Sequence, residues 1–251
     1  MKKIAKNKAL IFNNNYSPNF DIKRRLKNSI KFIIIHYTGM VKESKAISRL
    51  LDLNSKVSCH YFIKNNGNIV RMVPDSYTAW HAGKSKWKKF KSLNRHSIGI
   101  EISNPGHNHG YKSFRQKQVK SLLSLIKDLK KKFNIDKKNI LGHSDIAPDR
   151  KKDPGEKFPW FILAKEKIIN WHNLDLKKLK KSRKIKINNK LEQIFIKNLY
   201  KIGYCKISGY NGERSNKILT TAFQRKYRNR LINGKIDHEC FLISKNILKV
   251  K

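Results

Sequence analysis

The residues best able to do chemistry gather in one stretch, GHSDIAPDRKKDPG, residues 142–155. A turn needs its glycines, prolines and aspartates. It does not need His143 ahead of a loop that closes on Lys-Lys-Asp. A second histidine, His36, ends the apolar run FIIIHYT. His36, His143 and Asp153 together offer two imidazoles and one carboxylate. That is the protein share of a catalytic zinc site, with the fourth position open to water or substrate. Such donors suit Zn2+ better than Mg2+ or Ca2+. Against this stands a plainer reading: a strand-end histidine more often packs or hydrogen-bonds, and an aspartate before proline more often shapes a turn. Glu101 shifts the balance. It lies in SIGIEIS, a strand with no other ionisable residue, where a carboxylate is costly unless paired or functional. Beside a metal it could take a proton from water and return it to a leaving nitrogen. Lys151, two residues before Asp153, would point the same way as Asp153 in an extended loop and could stabilise an oxyanion. Arg150 and Lys152 flank it, so an ordinary surface lysine is the competing reading.

These residues need strands and loops to hold them. KFIIIHYT (31–38) and SIGIEIS (97–103) read as buried strands, and NILGHSD (139–145) as a strand running into the reactive loop. HYFIKNNGNIVRMVP (60–74) reads as a hairpin turning at Asn66-Gly67 with positive φ. SKAISRLLDLN (44–54) reads as a helix. So does the segment carrying Val119, Leu122, Ile126, Leu129 and Phe133, a single apolar stripe. FPWFILAKEKIINWH (158–172) reads as a helix with Pro159 in its first turn. Alternating strands and helices predict an α/β domain around a central sheet. The basic run KKLKKSRKIK (177–186) then reads as a solvated linker. Beyond it, LEQIFIKNLYKIGY, NKILTTAFQRKYRNRL and DHECFLISKNIL carry amphipathic patterns of a small helical module.

Of the 251 residues, 39% are apolar and 10% aromatic, enough for a real core. With 58 basic and 17 acidic residues the net charge is +41. An anionic partner would explain it. So would AT-rich codon usage, which inflates Lys, Asn and Ile together, and charge alone does not decide. Cys59, Cys205 and Cys240 form no paired motif, which points to reduced or buried thiols. No window approaches the ~18 apolar residues of a membrane span. The basic N-terminus has no apolar core of an export signal, and no nearby cysteine for a lipid anchor.

Taken together, FIIIHYT, HYFIKNNGNIVRMVPDSYTAWHAG, NRHSIGIEISNPG and GHSDIAPDRKKDPGEKFPW resemble the zinc-dependent N-acetylmuramoyl-L-alanine amidases of the amidase type 2 family, in its AmpD/AmiD branch. The blocks run in family order and span residues 30–172. The resemblance implies a mixed β-sheet flanked by helices and one Zn2+ on His36, His143 and Asp153. It implies Glu101 and Lys151 as catalytic residues, and His81, Trp80 and Asn104 against the substrate. The implied reaction is hydrolysis of the amide between the lactyl group of N-acetylmuramic acid and L-alanine, in peptidoglycan or anhydromuropeptides, for wall turnover or recycling. His60 matches a histidine of the hairpin, read as structural or as supporting the site from behind its ligands. Some phage and animal relatives carry a catalytic tyrosine where Cys59 stands, and cysteine in place of Asp153. His96, His107, His109, His172 and His238 match nothing and are read as surface or loop residues.

The tail resembles a three-helix peptidoglycan-binding module, with Leu199, Gly203, Tyr204, Ala222, Phe223, Gln224 and Arg225 at its pattern positions. The expected division is an N-terminal extension (1–29), a catalytic domain (30–174), a basic linker (175–187) and the helical module (188–251). A wall-binding module points to the cell envelope, and the missing signal to the cytoplasm. Two rivals remain. A basic nucleic-acid-binding protein would explain the charge but not Glu101, His143 and Asp153. A non-catalytic peptidoglycan-recognition protein would have lost a ligand or Glu101, and neither is lost.

Overall fold

The structure, a computed structural model, describes residues 11–12 and 15–250. Most of the N-terminal stretch that bears on an export signal lies outside them. In chain order the first elements are β1 (Ile11–Phe12), β2 (Phe20–Asp21), β3 (Phe32–Tyr37), α1 (Glu43–Leu51), β4 (Tyr61–Ile63), β5 (Ile69–Arg71), β6 (Thr78–Ala79), β7 (Lys86–Trp87), β8 (Phe90–Lys91) and β9 (Ser97–Ile102). Then come α2 (Gln116–Phe133), β10 (Ile140–Gly142), α3 (His143–Ile146), α4 (Trp160–Lys165), α5 (Leu176–Ser182), α6 (Asn189–Ile202), α7 (Gly212–Tyr227) and α8 (His238–Lys249). The chain forms two compact units. One comprises the residues up to His81 with Asn94–Asp136; the other comprises Ala82–Leu93 with the chain from Lys137 onward.

In the first unit the strands pair in the order β1-β5-β4-β9-β3. β1 runs parallel to β5, β5 antiparallel to β4, and β4, β9 and β3 run parallel, so the sheet is mixed as expected. Central strands covered on both faces read as continuous β-branched runs, and Phe32, Ile33, Ile34 and Ile35 are all buried. The hairpin turns where expected, but by a wider device. Gly67 alone carries positive φ, and its N–H closes onto the Lys64 carbonyl at 2.9 Å. Helix α2 buries the predicted stripe plus Leu125, each such side chain worth about 1.5–3 kcal/mol. Gln118 accepts from the Arg115 N–H at its start, and Asn134 in the left-handed region ends it. Ser17, Asn19 and Arg25 tie the segment before β3 to the unit. Asn19 is buried and donates to the Asp52 and Val57 carbonyls, and Arg25 donates to the Ser97 carbonyl at 2.7 Å.

The second unit departs further from the sequence expectations. The strand read over 139–145 stops at Gly142, and His143 opens the single-turn helix α3, because the Asp145 carboxylate accepts the Gly142 N–H at 2.8 Å. The helix read over 158–172 covers only Trp160–Lys165, since Lys167 turns to φ 54°. The run read as a solvated linker is helical over Leu176–Ser182, with Leu179 buried. His172, read as a surface or loop residue, lies in the loop before α5 but is buried there and stacks on Trp171. Helices α5, α6, α7 and α8 each begin at an Asp or Asn (Asp175, Asn188, Asn211, Asp237) whose side chain accepts an N–H three residues on. The Ala-Phe-Gln-Arg pattern explains itself physically. Ala222 and Phe223 are core, while Gln224 accepts from the Asn233 and Gly234 N–H groups and donates to the Lys235 carbonyl. At the end of α6, Gly203 lets Trp87 of the β7–β8 hairpin approach. A Cβ there would lie 2.3 Å from Trp87 Cε2.

Two outcomes follow from this packing. Gly203→Ala adds a methyl group where φ is 144° and space is absent, and should cost about 2–4 kcal/mol in urea unfolding. Burial lowers the His172 pKa from 6.5 to about 4. The folded state therefore resists protonation that the unfolded chain accepts. Stability should decline as pH falls through 6.5 toward 4, and His172→Phe should flatten that part of the curve in pH-dependent melts.

Candidate metal centre and active site

In the first unit, β3 and β9 pair in parallel with His36 opposite Glu101. Side chains at paired positions of adjacent strands stand on the same face. The sequence therefore puts an imidazole and a carboxylate side by side on a sheet of otherwise apolar neighbours. His36 is 1% exposed. Its Nε2 lies 3.1 Å from His81 Nδ1, and His81 Nε2 lies 3.2 Å from Ser97 Oγ. Gly99 makes room for this ring: a Cβ there would sit 2.4 Å from His81 Cγ. His60 accepts the Gly99 N–H on Nδ1 at 3.0 Å. Burial, and then the Arg25 charge, hold its pKa well below the imidazole range, so it is a neutral structural residue. Cys59, where some relatives carry tyrosine, is fully buried. Burial and then Glu101 push its thiol well above the usual range, so it stays protonated.

In the second unit, His143 and Asp153 are both buried, with His143 Nδ1 3.1 Å from Asp153 Oδ2. His143 Nε2 lies 3.2 Å from the Ala82 carbonyl. The same Nε2 lies 3.4 Å from Arg150 Nη2. Among the described residues, His36, His143 and Asp153 form a grouping competent for a metal: one ligand atom from each lies within 4.8 Å of the others. The donor chemistry and the spacing both fit a metal of the zinc type.

The other expected site residues fall differently. Lys151 is half-buried, on a turn in which the Arg150 and Lys151 N–H groups both close onto the Ala147 carbonyl, rather than on an extended loop. Trp80 gives its indole N–H to Asp21 at 2.8 Å. Asn104 is buried, and both ends of its amide are used within its own loop, donating to the Lys112 carbonyl and accepting from Gly106. His81 touches His36. Sequence reasoning misses Arg150, which donates to the Ala82 and Lys84 carbonyls and ties that loop to the reactive one. Burial lowers its pKa, opposed by Asp149 and Asp153. It also misses His107, whose Nδ1 is 2.8 Å from Tyr37 Oη and whose ring stacks on Tyr111. No sequence signal separates these from the many other basic residues.

A mixed sheet with a histidine and a glutamate in register, together with the His36, His143 and Asp153 grouping, defines a class, and sequence comparison agrees. The chain belongs to the N-acetylmuramoyl-L-alanine amidase family, whose model matches residues 26–156. It is 32% identical over 232 residues to the N-acetylmuramoyl-L-alanine amidase AmiD of Escherichia coli, covering 88% of this chain and 83% of AmiD. Its structure matches that of AmiD from E. coli in complex with the substrate anhydro-N-acetylmuramic acid-L-Ala-D-gamma-Glu-L-Lys, with a TM-score of 0.77, 30% identity and 91% of each chain covered. It also matches AmpDh3 from Pseudomonas aeruginosa in complex with anhydromuramic pentapeptide, with a TM-score of 0.74 and 25% identity over 98% of this chain and 97% of the other. No helix among the described residues is long and apolar enough to cross a membrane.

The Gly99 contact gives a direct check. Gly99→Ala should push His81 off His36 and cost about 1–3 kcal/mol. Urea unfolding reads the cost, and the His81 imidazole resonances in NMR read the displacement.

Proposed function

We propose that the protein hydrolyses the amide between the lactyl group of N-acetylmuramic acid and L-alanine in muropeptides, using one Zn2+ held by His36, His143 and Asp153. The observation that carries this is the grouping of those three side chains, with Glu101 in register beside His36. When bound, the metal supplies Lewis acidity toward the scissile carbonyl and toward water. Glu101 takes a proton from the attacking water as its oxygen bonds to the carbonyl carbon. It then gives that proton to the alanine nitrogen as the C–N bond breaks. Lys151 stabilises the negative charge that develops on the carbonyl oxygen. His81 orients His36 through Nε2, the kind of outer contact that fixes a ligand ring. Trp80 and Asn104, both engaged within the protein, shape the walls around the substrate.

The reading divides the chain into a catalytic region over 30–174 and a wall-binding region over 188–251. It places the work in the cell envelope, supported by the resemblance of the C-terminal helices to a peptidoglycan-binding module. Nucleic acid has no part in it.

Purified protein should contain one zinc, and His143→Ala should lose metal and hydrolysis together. Digested muropeptides should yield peptide with N-terminal alanine by mass spectrometry; intact lactyl-peptide bonds after long incubation would refute the reaction. Glu101→Gln should keep its zinc and lose ~10²–10⁴ in rate. Lys151→Ala should lose ~10²–10³. Near wild-type turnover in Glu101→Gln would leave the glutamate a structural acid.

A further inference from the structure

We infer that Tyr204 and Lys226, in the C-terminal helical region, are positioning residues for the metal centre, acting through the buried carboxylate of Asp145 on His143 and Asp153. This rests on the reading above that His143 and Asp153 hold Zn2+. The sequence presents the C-terminal region as a wall anchor, and the structure gives it a second task.

Asp145 is 1% exposed and lies in α3, the single turn that His143 opens. Its Oδ2 accepts from the Gly142 N–H at 2.8 Å and from Lys226 Nζ at 3.0 Å. Its Oδ1 accepts from Tyr204 Oη at 2.7 Å. Lys226 Nζ also donates to the Ile140 carbonyl at 3.0 Å, so one ammonium holds both β10 and α3. Immediately after His143, the Ser144 N–H donates to the Asp153 carbonyl at 2.9 Å. The two ligand-bearing residues are thus bracketed by one hydrogen-bonded frame, and Asp145 is its centre.

A four-residue helix cannot hold its own geometry, because nucleation costs more than one turn of bonds returns. Capping by Asp145 needs only the Gly142 N–H. The two added donors fix the carboxylate's orientation and with it the direction in which α3 leaves β10. Both donors are themselves fixed. Lys226 is 4% exposed, with its Nζ 4.6 Å from the centroid of the Trp160 ring. Tyr204 is 2% exposed and packs edge-on to Trp87 at 4.9 Å, where Gly203 leaves space for the indole. Burial lowers the Lys226 pKa, and Asp145 opposes that shift. A buried pair of this kind contributes little net stability against an apolar replacement. What it supplies is a single orientation.

The experiment uses the full chain as wild type, Tyr204→Phe and Lys226→Met. Zn2+ affinity is measured by chelator competition, metal geometry by visible absorption after Co2+ substitution, and folding by circular dichroism and melting. Tyr204→Phe removes one hydroxyl and keeps the ring, so it should stay folded. Its Zn2+ affinity should fall about tenfold, and Lys226→Met should lose up to about a hundredfold, the range for outer residues that orient ligands. The Co2+ spectrum should shift, and kcat should drop with KM unchanged. A purely structural role would lower the melting temperature and leave affinity and spectrum at wild-type values, which overturns the proposal. Should Lys226→Met fail to fold, Tyr204→Phe decides alone. Absence of stoichiometric Zn2+ in the wild type would overturn the metal-site reading and this inference with it. Loss confined to the variants supports the inference and cannot arise from that failure.

Discussion

The parallel pairing of β3 with β9 is the constraint on which the first half of the site depends. Six consecutive residue pairs, from Phe32–Ser97 to Tyr37–Ile102, leave His36 no position except beside Glu101. Strand side chains alternate faces, so a slip of one residue would send the imidazole to the opposite face from the carboxylate. The slip would also turn buried isoleucines the wrong way, and their burial is what enforces the register. The apolar run that makes β3 a strand is therefore also what aims its histidine.

Carboxylates are scarce in this chain, 17 against 58 basic residues, and several are spent as internal anchors. Asp75 accepts from Tyr61 Oη and Lys132 Nζ. Glu239 receives Arg183 through two nitrogens, and Asp237 receives Arg228. Asp145 gathers three donors at once. A buried carboxylate must be matched by donors, and a lysine-rich chain has donors in excess. The surplus stays solvated, which gives the protein its charge. The matched acids fix loops and helix starts, and Asp153 and Glu101 are the pair proposed for chemistry.

The second unit shows how the loop of His143 is held by chain far away in sequence. His143 belongs to a turn too short to stand alone, and Asp145 ties that turn to residues 59 and 81 positions further on. The β7–β8 hairpin joins the same unit through Trp87 and the Gly203 carbonyl, which accepts the Lys88 N–H at 2.8 Å. A region with the pattern of a wall-binding module thus packs as part of the same compact unit as the reactive loop.

Much of this is legible in the amino-acid sequence. The apolar runs mark β3 and β9, the stripe marks α2, and Asn66-Gly67 marks the hairpin, because burial imposes periodicity on local sequence. Residue type and loop chemistry single out His36, His143, Asp153 and Glu101 as candidates, since few side chains can share a metal and a proton. Tertiary structure decides the rest. No local pattern says that His143 starts a helix, because the carboxylate that caps it has the same sequence signature as a turn aspartate. Nothing local tells that His81 braces His36 when its sequence neighbours suggest a cleft wall, or that Asn104 spends its amide on its own loop. Lys226 is one of many lysines until it is found buried on Asp145. The sequence by itself determines which residues can do the chemistry, because that is a property of side chains. Which of them hold the others in place is a property of distance, and only the folded chain sets distance.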